Sequence, residues 1–231
     1  MKTSDYLAKS LINLGVETAY AVTGGAVVHI LDSFKNNGGE IVFVHHEQSA
    51  SFAVSSHYKI SGKIACCMVT SGPGVTNAIT GLVSAWLDSV PAIFISGQSR
   101  INSLVGDRAG MRQSGNQEVI TKSFVDGACK KFFMPQKAED LEYILKEAVE
   151  ISNSGRPGPV WIDIPLDIQW ADLNKPIIER LPIIDKKNDL KLDLSQLKDK
   201  LINAKNPIFV LGAGIKTSKA ENNLEKVLSK I

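Results

Sequence analysis

Residues 45–98 read HHEQSASFAVSSHYKISGKIACCMVTSGPGVTNAITGLVSAWLDSVPAIFISGQ, and this stretch decides the fold. The segments 64–69 and 92–96 are almost wholly apolar, as strands are when both faces of their sheet are covered. Residues 48–61, rich in Ala and Ser, predict a buried helix, and a second helix follows the glycines near residue 73. Strands that alternate with helices in this way indicate a parallel sheet covered by helices.

The same alternation continues on both sides of this stretch. Strands are predicted at 18–22, 41–44, 130–134 and 160–164, and helices before residue 15, before residue 36 and over 138–152. We therefore expect an α/β fold, an open parallel sheet with helices on both faces, that is complete within residues 1–167.

The rest of the chain predicts the start of a second domain. Residues 168–205 are richer in Lys, Asp and Pro and are expected to be a connecting segment with one helix near its end. Residues 206–231 then predict a strand at 207–211, a tight turn and a helix, the opening of a central Rossmann-like domain. One strand and one helix bury no core, so we expect this domain to be completed by residues outside the chain.

Composition narrows the class of protein. Lys and Arg total 26 against 24 acidic residues, with no dense basic block, so no nucleic-acid partner is expected. The first residues lack the apolar core of a signal peptide and no run reaches membrane-spanning length, so we expect a cytoplasmic protein without a membrane partner. Cys66 and Cys67 are neighbours on a predicted strand and point to opposite faces, which indicates buried free thiols.

Two features of the quoted stretch are typical of a ligand site. Glu47 directly follows one predicted strand, and the turn from Thr70 to Gly74 follows the next. Open parallel sheets bind ligands at the carboxyl ends of their strands, where a carboxylate beside backbone amides suits a heteroaromatic ring nitrogen. The alternative is that Glu47 only caps the following helix, where its charge favours the positive end of the dipole.

The order of these motifs carries a resemblance to a known family. HEQ, a Gly-Lys pair, VTSGPG-x-TNA, a helix ending in Asp88 and P-x-x-x-x-x-GQ occur in that order, with YAVTGGAVVHILD before them and GNQEV and SGRPGPVWIDIPLDI after them. The set resembles the N-terminal pyrimidine-binding domain of acetolactate-synthase-like, thiamine-diphosphate-dependent enzymes, over residues 1–167. NPIFVLGAGI, which starts at residue 206, resembles the opening of that family's central domain.

The resemblance implies particular site residues. Glu47 corresponds to the glutamate that hydrogen-bonds the N1′ nitrogen of the aminopyrimidine and favours the imino tautomer, which removes the thiazolium C2 proton. The resemblance assigns Gly24 and Gly25 to a loop against the pyrimidine, where we expect them to allow a positive φ and a close backbone approach. It also places Pro73 and Asn77 along the pyrimidine pocket, and Gln117 as the glutamine that reaches the neighbouring active site.

The chain also departs from the family pattern. Val22 and Thr23 replace the commoner Tyr-Pro before the glycines, and Asn116 stands where acetolactate synthases usually carry Phe. In the family, the diphosphate of the cofactor is held through Mg²⁺ by a Gly-Asp-Gly motif in a C-terminal domain. The 231 residues of this sequence contain no such motif. We therefore expect the chain alone to be inactive and to bind no metal itself.

The resemblance implies partners as well as a substrate class. The family builds each site between subunits, so we expect a homodimer or a complementary chain that binds the diphosphate, acting on a small 2-oxo acid as a synthase or lyase. Two alternatives stay open. One is a non-catalytic interaction or regulatory remnant of such an enzyme. The other is an independent nucleotide-binding protein. Only the Gly-x-Gly turn at Gly212 and Gly214 supports this alternative.

Overall fold

The computed structural model of the protein describes residues 1–106, 110–179 and 193–229. The chain divides into two compact units, Met1–Pro182 and Ile183–Ile231. The candidate site residues all lie in the first unit.

The first unit is a parallel sheet with a helix after most strands. Its strands are β1 (Thr18–Ala21), β2 (Glu40–Phe43), β3 (Cys66–Val69), β4 (Ala92–Gln98), β5 (Phe132–Phe133) and β6 (Pro159–Pro165). Its helices are α1 (Thr3–Asn13), α2 (Val28–Asn36), α3 (Glu47–Ser61), α4 (Pro73–Leu87), α5 (Thr121–Val125), α6 (Leu141–Asn153) and α7 (Leu166–Trp170). Short 3₁₀ turns lie at Ile101–Ser103 and Ala138–Asp140.

The sheet order is β2-β1-β3-β4-β6-β5 and every strand pair is parallel. The predicted open parallel α/β fold is therefore confirmed. The strand expected over 130–134 is reduced to Phe132 and Phe133, because β5 lies at the edge of the sheet and pairs only with β6.

Two hydrophobic cores, one on each face of the sheet, follow from side-chain alternation along the strands. Cys66 and Met68 belong to the core covered by α1, α2 and α6, whereas Cys67 and Val69 belong to the core covered by α3 and α4. The neighbouring cysteines thus point to opposite faces, as predicted, and burial raises the pKa of both thiols.

The strand order places a topological switch point between β1 and β3. The chain leaves β1 through α2 toward β2 on one side, and leaves β3 through α4 toward β4 on the other. The loops that follow β1 and β3 therefore diverge and leave a crevice at the carboxyl ends of the strands. Ligands of open α/β sheets bind in this position.

Helices α3 and α4 approach each other unusually closely at one glycine. A Cβ atom on Gly81 of α4 would lie 2.1 Å from Oγ and 2.6 Å from the backbone carbonyl carbon of Ser51 in α3. Only a residue without a side chain fits at this contact. The close approach fixes the distance between the N-terminal turns of the two helices, where Glu47 and Asn77 lie.

The first unit continues beyond residue 167. The backbone N–H of Thr3 donates to the carbonyl of Ala171 at 2.8 Å, and that of Leu173 donates to the carbonyl of Met1 at 2.9 Å. Leu173 and Ile178 are buried in the core beside α1 and α6. The segment after β6 therefore packs on the first unit, where residues 171–173 are hydrogen-bonded to residues 1–3.

The described part of the second unit, residues 193–229, contains α8 (Ser195–Asn203), α9 (Gly214–Thr217) and α10 (Glu221–Leu228). The helix expected near residue 205 is confirmed. The strand expected at 207–211 is wrong, because a strand requires a hydrogen-bonded neighbour and none of residues 193–229 forms one. The predicted domain that begins at residue 206 stays a prediction. No helix in the described ranges is long and apolar enough to cross a membrane.

The contact at Gly81 gives a stability prediction of unusual sign. In a helix interior, Gly→Ala ordinarily stabilises by about 1 kcal/mol. We expect Gly81→Ala instead to lower the free energy of unfolding by about 1–3 kcal/mol, because the new methyl group displaces Ser51. Urea unfolding followed by circular dichroism measures this, with the exposed Thr80→Ala on the same helix as control. A stabilised Gly81→Ala variant would contradict the close packing.

Candidate active site

Glu47 is the first residue of α3 and lies half-buried at the carboxyl edge of the sheet. Its Oε2 atom accepts a hydrogen bond of 2.9 Å from Nδ2 of Asn77 in the first turns of α4. No donor among the described residues bonds to Oε1. One carboxylate oxygen is thus held by the protein, and the other is available to a ligand.

Glu47 is not the N-cap of α3, although its charge lies in the first turn, where the capping alternative places it. The N-cap of α3 is His46, whose Nδ1 accepts from the backbone N–H of Gln48 at 3.2 Å. The Glu47 side chain instead crosses to Asn77, while its charge in the first turn still favours the helix dipole. His46 is exposed and orients the start of the helix, so its effect on Glu47 is through the backbone.

Pro73 begins α4 and lies exposed beside the crevice, preceded by Gly72 at φ +64°. The next residue, Gly74, has no side chain at a position where a Cβ atom would lie 3.7 Å from Glu47 Oε1 and 3.0 Å from Thr70 Cγ2. Gly74 is buried, so its backbone packs against Thr70 next to this carboxylate oxygen. The turn Gly72–Gly74 therefore shapes the floor of the crevice.

Gly24 and Gly25 lie in the loop after β1, across the switch point from this turn. A Cβ atom on Gly24 would lie 2.4 Å from Cβ of Thr70, whereas one on Gly25 would meet nothing within 4 Å. Neither glycine has a positive φ, so that part of the prediction is wrong. The physical need at Gly24 is close approach to Thr70, and the backbone at Gly25 is open to a ligand.

Two further contacts hold this glycine loop in place. The backbone N–H of Ala26 donates to Thr70 Oγ1 at 3.3 Å. On its other side, a Cβ atom at Gly97 would lie 1.7 Å from the Ala26 carbonyl oxygen, so Gly97 lets the loop rest on the end of β4. Thr70 was not singled out by the sequence, although its position at the head of the Thr-Ser-Gly-Pro-Gly turn was the available signal.

Gln117 lies over the same turn from the opposite side. A Cβ atom at Gly72 would lie 2.8 Å from the Gln117 carbonyl oxygen and 3.1 Å from its Cβ. Gln117 has φ +55°, which L-residues rarely adopt, and its side chain is exposed. The structure thus brings Gln117 to the turn that carries Pro73, on the same edge of the sheet as Glu47.

A buried polar cluster lies directly behind Gln117 and was missed by the sequence reasoning. Asp163 of β6 is 1% exposed and accepts from Ser96 Oγ at 2.6 Å and from Gln98 Nε2 at 3.0 Å. Burial raises the pKa of the Asp163 carboxyl to about 6, although hydrogen bonds from Ser96, Thr121 and Gln98 oppose this. The signal was a lone acid inside the apolar strand VWIDIP.

Three arginines follow β4 in the chain, where a guanidinium could meet an anionic group. Arg100 stacks on the Trp170 ring at 5.0 Å, Arg112 is exposed, and Arg108 lies outside the described residues. Within the described ranges, no group of three or more His, Cys, Asp or Glu side chains is arranged to hold a metal ion.

An aminopyrimidine ring fits the groups that the crevice presents. A ring nitrogen can share a proton with a carboxyl oxygen, which Glu47 Oε1 offers, and a flat ring can approach backbone without a side chain, which the exposed Gly25 offers. These groups are compatible with a heteroaromatic ring.

Fold and site together define an α/β protein with a ligand crevice at the switch point of a parallel sheet and a half-buried carboxylate within it. Residues 1–123 match the family described as thiamine pyrophosphate enzyme, N-terminal TPP binding domain, and the chain therefore belongs to this family. The family implies thiamine diphosphate as the cofactor.

The chain is similar to acetolactate synthase large subunits. It is 35% identical to the subunit of Buchnera aphidicola from Acyrthosiphon pisum over 99% of this chain and 40% of that protein. It is 36% identical to that of Haemophilus influenzae over 96% of this chain and 38% of the relative, and 33% identical to isozyme 2 of Escherichia coli over 99% and 40%. The chain thus spans about two fifths of these relatives' length.

Asp163 gives a prediction about stability and pH. Because its pKa rises from the usual 3.8 to about 6 on folding, the folded protein binds this proton more tightly than the unfolded chain. The resulting stabilisation is present below the unfolded pKa and is lost as the pH rises through the folded one. Between about pH 4 and about pH 7 we expect the wild type to lose about 2 kcal/mol more than Asp163→Asn.

Urea titrations of both proteins across this pH range measure the difference. Asp163→Asn removes the titrating group and keeps an acceptor for Ser96, so the remaining carboxyls contribute equally to both curves. Parallel pH profiles for the two proteins would refute the assigned protonation of Asp163.

Proposed function

We propose that this chain is the cofactor-activating N-terminal portion of a thiamine-diphosphate-dependent enzyme that makes or breaks a C–C bond next to the carbonyl of a 2-oxo acid. The observation that carries the proposal is the difference between the two carboxylate oxygens of Glu47. Asn77 holds one carboxylate oxygen, and no donor among the described residues bonds to the other, which lies at the half-buried carboxyl edge of the sheet. This second oxygen can therefore accept a proton or a hydrogen bond from a ligand.

The roles of the crevice residues follow from this geometry. With the pyrimidine bound, Glu47 Oε1 would share a proton with a ring nitrogen, and Asn77 would orient the carboxylate for this exchange. Gly25 would present open backbone to the ring, and Pro73 begins α4 directly after Gly72, against which Gln117 lies. Thiamine diphosphate, when bound, supplies the carbanion chemistry that no side chain provides.

The diphosphate end is proposed to be held with Mg²⁺ by residues outside this chain. The relatives are more than twice as long as the part that the chain matches, which leaves room for such a domain. The donor groups in the crevice also suit a neutral or cationic ring more than a diphosphate, because Glu47 contributes negative charge. We therefore expect the chain alone to be catalytically inactive.

A second chain is proposed to complete the site, either another copy or a complementary diphosphate-binding chain. Helices α3 and α4, which carry Glu47 and Asn77, expose several large apolar side chains: Phe52, Ile60, Val83, Trp86 and Leu87. Exposed large apolar side chains on neighbouring helices are compatible with an interface. The free and buried cysteines support a reducing compartment, and we place the protein in the cytoplasm.

The proposed pyrimidine site is testable on the chain itself. Thiamine, which lacks the diphosphate, is titrated into the labelled protein while backbone amide shifts are recorded by NMR. We expect the shifts to change at residues 24–27, 47–49 and 72–77, and to be lost in Glu47→Ala. Glu47→Gln should retain part of the binding, because an amide still hydrogen-bonds a ring nitrogen.

The matched control is Glu17→Ala, which removes an exposed carboxylate that pairs with Lys63 away from the crevice. It should leave the thiamine shifts unchanged. Thiamine diphosphate with Mg²⁺ should bind no more than a few-fold more tightly than thiamine. Shift changes that survive in Glu47→Ala would refute the role of Glu47, and strong tightening by Mg²⁺ would refute the missing diphosphate site.

A further inference from the structure

The buried cluster behind Gln117 begins with two polar residues at the same level of neighbouring strands. Ser96 of β4 and Asp163 of β6 are register partners, and both are almost fully buried. Ser96 Oγ donates to Asp163 Oδ1 at 2.6 Å and accepts from Trp161 Nε1 at 2.8 Å. A buried carboxylate is costly unless donors satisfy it, so Asp163 depends on these neighbours.

Gln98 connects this cluster to the chain segment above it. Its Nε2 atom donates to Asp163 Oδ2 at 3.0 Å and to the carbonyl of Val119 at 3.0 Å, while its Oε1 accepts from the N–H of Ser99 at 2.9 Å. Gln98 is 2% exposed. A side-chain amide, with donors and an acceptor on one group, is suited to make these three bonds together.

Val119 is two residues beyond Gln117, and the segment between them is held at further points. Ser99 Oγ donates to the carbonyl of Asn116 at 3.0 Å. The Glu118 carboxylate accepts from the N–H groups of Val105 at 2.7 Å and Gly115 at 2.8 Å. Contacts therefore run without a break from Asp163 through Gln98 to the backbone on either side of Gln117.

The backbone of Gln117 requires such support. A residue other than glycine at positive φ is strained and persists only where surrounding contacts determine it. The strained residue is also the one whose carbonyl lies against Gly72, beside Glu47 and Asn77. Releasing the anchor at Val119 would let Gln117 relax and leave the turn.

We propose that Gln98 and Asp163 are positioning residues that hold the Gln117 segment, residues 115–119, against the Gly72 turn at the edge of the cofactor crevice. The consequence for the enzyme rests on the proposed function, in which that crevice receives the pyrimidine. Asp163 fixes the Gln98 amide, and Gln98 fixes the Val119 carbonyl. The Gly-Gln motif contains Gln98 and the VWIDIP motif contains Asp163, so both motifs help to hold the Gln117 segment.

Amide hydrogen exchange of the wild-type chain and three variants tests this proposal. Gln98→Met keeps the length of the side chain without its amide. Asp163→Asn keeps an acceptor for Ser96 but presents an amide to Gln98 Nε2. Ser96→Ala is the matched control, because it damages the same buried cluster without a bond to the segment.

We expect Gln98→Met and Asp163→Asn to raise exchange at residues 115–119 by about tenfold or more relative to exchange in β3 and α4. Ser96→Ala should raise exchange in both regions by the same factor, as a general loss of stability does. Equal factors for all three variants would overturn the positioning role. If Gln98→Met does not fold, Asp163→Asn alone decides between the two outcomes.

Thiamine binding separates this proposal from the proposed function. In the wild type, thiamine should also shift the amide of Gln117, because Gln117 lies against the Gly72 turn. In Gln98→Met and Asp163→Asn, thiamine should still shift the amides near Glu47 and no longer shift that of Gln117. If thiamine shifts no crevice amide even in the wild type, the proposed function fails. The exchange result then still decides whether Gln98 and Asp163 hold the segment.

Discussion

The hydrogen bond between Asn77 and Glu47 is the constraint on which the crevice depends, and it exists because two helices lie unusually close together. Each residue lies near the N-terminus of its helix. Asn77 Nδ2 lies 2.9 Å from Glu47 Oε2. Gly81 of α4 permits the approach, because its missing side chain leaves room for Ser51 of α3. Because protein interiors are close-packed, a displacement of α4 by a methyl group would carry Asn77 away from the carboxylate.

Glycines set the rest of the geometry by the same means. A side chain at Gly24 would clash with Thr70, and one at Gly97 with the Ala26 carbonyl. A side chain at Gly72 would clash with the Gln117 carbonyl. Each contact brings one loop against another strand end at the switch point. The crevice is therefore built from close backbone approaches around one carboxylate, an arrangement that suits a flat ring better than a branched or extended ligand.

Much of this could be predicted from the sequence, for physical reasons that differ between elements. The apolar runs at β3 and β4 and the breaker glycines predicted the parallel sheet, and the position of Glu47 after a strand predicted the edge where it lies. The backbone conformation of Gly24 and Gly25 was predicted wrongly, since a glycine required for close approach and one required for positive φ are identical in sequence. Residues 207–211 have the composition of a strand, but pairing depends on neighbours that composition does not supply.

The roles of the Asp163 cluster and of Thr70 were missed although both residues stood out in the sequence, because these roles lie in contacts between distant segments. Gln98, Val119 and Asp163 come together only when β4 and β6 are neighbours. The family match and the similarity to acetolactate synthase large subunits agree with the crevice that these contacts create.

In the proposed function Glu47 Oε1 exchanges a proton with the pyrimidine ring nitrogen, and ¹⁵N NMR of thiamine labelled at that nitrogen measures this exchange directly. With saturating wild-type chain, at a pH where free thiamine has a neutral ring, we predict the ¹⁵N shift of a protonated or strongly hydrogen-bonded ring nitrogen. With Glu47→Gln at equal saturation, we predict the shift of the neutral ring. The same shift with both proteins would contradict the account.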